Sequence, residues 1–480
     1  MKKYFVFFFT AIICNTAYTQ GYQVTLRAPV FKSGITYLTY YMGSNFNIAD
    51  SAAFGNKGTA VFKGSSKLQP GIYAIFFPDK RTRIEFLISK EQIISVTTDT
   101  SDLVNKTIVS GSKENILYEQ YQKFAAVKGK LLQQERNAYM ASSTKADSLL
   151  HEKNYTSYNK QLNDYREGII KNQPASMMAA LLNAMKEPVY PATVPITRQD
   201  SVDSYNEYKN HYWDGITFMD DRIIRTPFFL KKLERYYREV ISPVSDSIVK
   251  DIDYKLLLAR SAPEMYKFLL NWVTDEYINP KYMGQDAVFV HLFEKYHSKG
   301  LSSWLNEKQM EAISRRAYML MSNLIGEKGA DLEMLDTEDK PSSLYNVNAD
   351  YTIICFWDPN CGHCKTELPR LDSIYKASWK NHNLKIFAVL TPDGKESVKQ
   401  EWLNFIKDHN ISEWLNVYKT KESEAAEFAA QKPSFRQLYD VTITPTLYLL
   451  DKDKRIIGKK LNLLQLNELL EVKWNIPPSK

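Results

Sequence analysis

Two cysteines three residues apart, Cys361 and Cys364, enclose Gly362 and His363 in the run Tyr351-Thr-Ile-Ile-Cys-Phe-Trp-Asp-Pro-Asn-Cys-Gly-His-Cys-Lys-Thr-Glu-Leu-Pro369. A thiolate is the nucleophile of disulfide exchange, and a second thiol about one helical turn away can close on it after the first step. That chemistry asks the chain for a rigid mount and a position that favours the thiolate. Tyr351 to Trp357 is apolar, β-branched and aromatic with no helical period, which reads as a strand buried on both faces. Asp358-Pro359-Asn360 breaks the strand, so the cysteines fall at the start of a helix. Unpaired N–H groups and the positive end of the helix dipole favour ionisation there. Cys361 is therefore the expected nucleophile and Cys364 the resolving thiol. Gly362 adds little bulk beside the sulfur, and a protonated His363 would favour the thiolate further. No cofactor is called for.

This stretch resembles the active-site region of thioredoxin-fold thiol–disulfide oxidoreductases, most closely the envelope-located TlpA/ResA-like branch of AhpC/TSA-type proteins. Phe356-Trp357 before the motif and Lys365-Thr-Glu-Leu-Pro369 after it carry the likeness. The resemblance implies that Pro369 kinks the active-site helix and that Glu367 assists proton transfer to the cysteine pair. It also implies that Trp357 and His363 meet the substrate. Cys355 stands where thioredoxins bury an aspartate, which leaves proton transfer to Glu367 or water. Val441-Thr-Ile-Thr-Pro-Thr446 matches the loop whose proline, here Pro445, has a cis peptide bond and faces the cysteines. Thr444 would then offer its N–H and C=O to an extended client as an added strand.

Plainer readings stand beside these. A CxxC can be half of a zinc site, but no second pair of ligands at metal spacing completes it, so no metal is expected. Cys355, inside the apolar strand, reads as a buried inert thiol. Glu367 could be a first-turn acid that complements the dipole, and Pro445 an ordinary proline before an edge strand. His291 and His297 sit six apart, on different helix faces, and make poor co-ligands.

At 480 residues, with 44% hydrophobic and 24% charged residues, the chain reads as about three globular domains. Lys2-Lys3 and the apolar run Tyr4 to Ile13 resemble a targeting segment over residues 1–20, too short to anchor in a bilayer. Ile13 is bulky for a lipoprotein site at Cys14, so a cleaved, exported, periplasmic or envelope form is expected. No other stretch approaches about 18 uninterrupted apolar residues, so no transmembrane segment is expected after cleavage. Losing Lys2 and Lys3 from 62 bases leaves 60 against 55 acids, a mild and dispersed excess that argues against a nucleic-acid partner.

The expected fold is multidomain. Residues 21–110 carry short β-branched and aromatic runs between turn clusters, which predicts an all-β sandwich or barrel. Tyr40-Tyr-Met-Gly43, Asp50-Ser-Ala52 and Pro70-Gly-Ile-Tyr73 resemble a domain of unknown function found ahead of thioredoxin domains in Bacteroidetes-type envelope proteins. Residues 111–328 are expected to be α-helical. A hairpin over 112–171 would turn near Ala141-Ser-Ser-Thr144, with Leu117, Tyr121, Phe124, His151, Tyr155, Tyr158, Leu162, Tyr165 and Ile169 in its seam. The seam is either plain core or a homodimerisation arm. A proline-rich loop around Pro188–Pro195 leads to a helical body over 201–328. Trp213-Asp-Gly and Arg225-Thr-Pro-Phe228 resemble a second uncharacterised domain of the same proteins. Residues 330–480 predict an α/β thioredoxin fold, with strands 351–357 and 384–390 in a right-handed βαβ unit.

The function implied is that of an exported thiol–disulfide oxidoreductase. Its partners would be client protein disulfides or thiols and a membrane-linked thiol reductant or oxidant. Cys-Gly-His-Cys also resembles the protein disulfide isomerase motif, so an oxidase or isomerase is the rival in the same class. A peroxidase is disfavoured because its peroxidatic cysteine is typically solitary. The rival from another class is an envelope binding or scaffold protein, in which residues 21–328 hold a partner and the redox domain is secondary.

Overall fold

Residues 21–191, 194–393 and 398–474 are described by the structure, a computed structural model. The expected targeting segment, with Cys14, and two residues of the Pro188–Pro195 loop lie outside them. The chain gathers into two units, one up to Ile241 with Lys255–Phe268, the other Ser242–Tyr254 with Leu269 onward.

The first unit begins as a sandwich. Its strands are β1 (Tyr22–Arg27), β2 (Ile35–Met42), β3 (Asn45–Ala53), β4 (Thr59–Gly64), β5 (Gly71–Phe76), β6 (Arg83–Ile88), β7 (Ile93–Thr97) and β8 (Ile108–Ser110). They form two sheets, β4-β1-β7-β8 and β3-β2-β5-β6. Period-two alternation fills the space between them: Val24, Leu26, Phe62 and Val96 from one sheet meet Leu38, Tyr73, Ile75 and Phe86 from the other. The second sheet is covered on its outer face as well. There Tyr41, Ile72 and Leu87 pack on Leu117, Tyr118, Tyr121, Ile169 and Met177, which is why β5 is buried at five consecutive positions. At the edge strand β6, Asn115 pairs its side-chain amide with Leu87 in both directions, at 2.7 and 2.8 Å, and so satisfies backbone groups that a neighbouring strand would have taken.

The hairpin consists of helices Lys113–Ala141 and Lys145–Asn172, each opened by a hydroxyl N-cap, Ser112 and Thr144. Its seam is partly as expected. Leu117, Tyr121, Leu162 and Ile169 are buried, and Phe124 stacks on Tyr165 at 4.2 Å. Tyr155 departs from the expectation: its ring is 41% exposed. No residue from 122 to 161 is buried, because beyond the sandwich each helix has only the other to pack against. Farther along, Arg225 and Lys255 sit against aromatic rings, Arg225 over Tyr40 and Lys255 over Tyr236 at 4.5 Å with Trp213, Phe218 and Tyr237 around it.

The second unit holds helix Glu307–Met321 and a seven-stranded sheet of β9 (Glu333–Asp336), β10 (Pro341–Ser343), β11 (Tyr351–Trp357), β12 (Leu384–Leu390), β13 (Leu415–Tyr418), β14 (Thr446–Asp451) and β15 (Ile456–Lys459). Their order is β10-β9-β13-β12-β11-β14-β15. β11 is an interior strand, parallel to β12 and antiparallel to β14. Alternate residues of β11 serve two cores. Ile353, Cys355 and Trp357 pack with Leu368, Leu371 and Tyr375 of helix Gly362–Ala377. Ile354 and Phe356 pack with Phe435, Tyr439 and Tyr448 on the other face. The strand is thus apolar without alternation because both of its faces are covered. Among the described residues no helix is long and apolar enough to cross a membrane, and no cluster of three or more His, Cys, Asp or Glu could hold a metal.

Candidate active site

The site lies where β11 ends. Thr391 N–H donates to the Trp357 carbonyl at 2.7 Å, the last tie before the chain leaves the sheet. Asp358 organises the turn that follows. Its carboxylate accepts from Asn360 N–H at 2.8 Å and Asp393 N–H at 3.1 Å, and its carbonyl accepts from Cys361 N–H at 3.1 Å. These bonds deliver Cys361 to the N-cap of helix Gly362–Ala377. Pro369 lies inside that helix and leaves the Lys365 carbonyl without its usual N–H donor, the arrangement that kinks a helix.

The two thiols have opposite surroundings. Cys361 is half-buried and Cys364 fully buried. As a thiol, Cys361 Sγ donates to the Thr444 carbonyl at 3.2 Å. That contact requires the proton. Burial opposes ionisation of Cys361, but hydrogen bonds from the Thr444 side chain and from the N–H groups of Cys364 and His363 outweigh it and hold the thiol below its ordinary value. These N–H groups are the orphan donors of the helix's first turn, which a capping thiolate satisfies. For Cys364, burial dominates and pushes the thiol up to about 12, with the neighbouring Cys361 adding to it. Cys355 shares the same core and is raised well above the ordinary range by burial first and Cys364 second.

The remaining expected residues are distributed unevenly around this pair. The Thr444–Pro445 peptide is cis, and the preceding Ile443 side chain is 73% exposed. His363 is exposed at the helix start, and a Cβ at Gly362 would meet open space. Trp357 requires a correction. It is fully buried against Phe405, so it supports the strand end and does not offer a surface to a substrate. Glu367 accepts from Arg370 Nη1 at 2.7 Å in an i,i+3 pair on the helix surface. The role of Asp358 is hardly legible in the sequence; its one signal is an acid placed between a buried strand and a CxxC.

The family match over the site agrees with this geometry. Residues 325–459 match the AhpC/TSA family, and residues 22–118 match a domain of unknown function, DUF4369. No curated protein matches the chain. Among solved structures, a domain of a "possible thiol-disulfide isomerase" from Cytophaga hutchinsonii is 36% identical. It covers 32% of this chain and 93% of its own, with a TM-score of 0.27. A thioredoxin-like protein from Bacteroides caccae is 20% identical over 60% of this chain and 99% of its own, TM-score 0.44. A thiol:disulfide interchange protein from a Bacteroides species is 23% identical over 32% of this chain and 93% of its own, TM-score 0.27. Residues 325–459, the segment that carries Cys361, Cys364 and Pro445, thus match the AhpC/TSA family, and strand-rich and helical regions lie ahead of them.

Proposed function

We propose that the chain is exported and reduces or exchanges disulfides of cell-envelope proteins through Cys361 and Cys364. The asymmetry of the two thiols carries this reading: an accessible sulfur held below its ordinary pKa beside a buried one pushed up to about 12. The Cys361 thiolate attacks one sulfur of a client disulfide. The client S–S bond breaks, and its other sulfur leaves and takes a proton from solvent. Cys364 then gives its proton to water or Glu367 and attacks Cys361 Sγ, releasing the second client thiol. Two electrons have passed to the client, and the enzyme is left with a Cys361–Cys364 disulfide. A membrane-linked thiol donor returns it to the dithiol. The Thr444 backbone and Pro445 dock the client as an extended strand, with His363 beside the entering sulfur.

Equilibration with glutathione tests the direction of flow. A reduction potential near about −270 mV fits a reductant, and one near about −120 mV would reassign the chain as an oxidant. Lys2-Lys3 and the apolar run after them support export, which cell fractionation checks. The hairpin, unburied from 122 to 161, would pair two copies. A monomer mass by sedimentation would remove that part of the reading.

A further inference from the structure

The loop that meets Cys361 is anchored from outside the family-matched segment. Four residues before Thr444, Asp440 takes a left-handed backbone conformation, φ +46°, with its carboxylate buried. Arg316, on helix Glu307–Met321, donates from Nη1 to Asp440 Oδ1 at 2.8 Å and from Nε to the Ile278 carbonyl at 3.1 Å. Lys460 donates to Asp440 Oδ2 at 2.5 Å. Asn323, just past the same helix, donates to the Leu438 carbonyl at 3.0 Å. The turn 438–441 is therefore pinned by two side chains from that region, and Arg316, Asn323 and Lys460 all lie beyond the matched residues 325–459. Burial of the Asp440 carboxylate is tolerable because two cations face it.

Downstream, the chain has little freedom before the sheet resumes. Val441 N–H donates to the Arg436 carbonyl at 2.8 Å, and Thr446 Oγ1 donates to the Ile443 carbonyl at 2.6 Å. Only Val441 to Pro445 span the interval between the Asp440 anchor and β14. The Thr444 carbonyl that touches Cys361 Sγ belongs to that span. Displacing one end of so short an arc displaces its middle.

We infer that Arg316 and Asp440 are positioning residues, and that their ion pair lets the helical segment before the redox domain hold the Thr444 backbone over Cys361. This rests on the exchange reading only for its consequence in client reduction; the geometry at Cys361 can be measured without any client.

The test uses the full chain with Arg316→Gln, Arg316→Lys and Asp440→Asn, each checked for folding by circular dichroism. Two quantities are read: the pH midpoint of Cys361 alkylation in reduced protein, and the rate of reducing a peptide disulfide relative to a small aromatic disulfide. Arg316→Gln and Asp440→Asn should shift the midpoint in the same direction and lower the rate ratio about tenfold, the scale of losing one hydrogen bond at the site. Arg316→Lys should recover part of both. Gln removes a positive charge and Asn a negative one, so a purely electrostatic influence would move the two midpoints in opposite directions. That outcome, or unchanged midpoints in folded variants, overturns the inference. If Asp440→Asn fails to fold, Lys460→Met, which loosens the same carboxylate from a half-exposed position, replaces it; since it too removes a positive charge, the midpoints are then read at low and high salt, and a shift that high salt abolishes overturns the inference. A wild-type chain that reduces neither disulfide would refute the exchange reading, while the midpoints would still decide the positioning.

Discussion

Reduced, folded protein treated with iodoacetamide should lose Cys361 long before Cys364 or Cys355. The magnitude follows from thiolate populations. A thiol at its ordinary pKa of about 8.5 is roughly 3% ionised at pH 7. At about 12, Cys364 is ionised to roughly one part in 10⁵. Ionisation alone therefore favours Cys361 by roughly 3,000-fold. A more basic thiolate is the better nucleophile, and a Brønsted coefficient of about 0.4–0.5 over about 3.5 pH units returns a factor of roughly 40 to Cys364. The net preference is on the order of 100-fold. It is a lower bound, since Cys361 lies below its ordinary value and Cys364 is closed to solvent. Peptide mapping by mass spectrometry during a timed reaction gives each rate. Comparable rates at Cys361 and Cys364, or Cys355 reacting first, would refute the reasoning, because no folded arrangement like this one exposes those two sulfurs.

Cys364→Ser should accumulate a mixed disulfide between Cys361 and its client, visible as a reducible adduct on non-reducing gels; clients with disulfides that leave no adduct would count against exchange. Stability should fall with acid through His297. This side chain is bonded to Thr274 and Ser302 at 2.9 Å each, and burial depresses its pKa to about 4. The unfolded chain binds that proton first, near pH 6.5, so the contribution is complete above that value and shrinks as pH falls toward 4. The loss is about 3 kcal/mol by pH 4, read as a difference in urea midpoints that His297→Asn should flatten. Lys459→Met should destabilise the second unit by about 3–5 kcal/mol. It strands the buried carboxylate of Asp286, whose Oδ1 has no hydrogen-bond partner among the described residues. Adding Asp286→Leu should recover most of that loss, and a neutral Lys459→Met by thermal unfolding would show the pair to be dispensable.

What could be read from the sequence is what depends on neighbours along the chain. Tyr351–Trp357 declared itself because a strand covered on both faces must be apolar at every position, and the helix start at Cys361 because Asp-Pro-Asn can continue neither element. β3 carries no such signal, for the converse reason. Asn45–Ala53 is an edge strand with no fully buried residue, so its polar composition carries no core pattern. The helix Lys421–Ala429, also without a buried residue, was equally silent. Trp357 was misjudged because an aromatic beside a motif gives no sign of which way it faces; β11's alternation turns it inward onto Phe405.

Arg316 and Asp440 mark a different kind of limit. They are separated by 124 positions, and neither stands in a periodic pattern that requires the other. Their pairing exists only once a helix lies against the turn before Thr444. The single local hint is Asp440 itself, since aspartate tolerates the left-handed backbone that a tight turn needs better than most residues do. Reactive groups of this kind can be read from spacing because the chemistry demands that the two sulfurs be near in sequence. What sets their geometry makes no such demand, and in this chain it comes from a helix that precedes the redox fold.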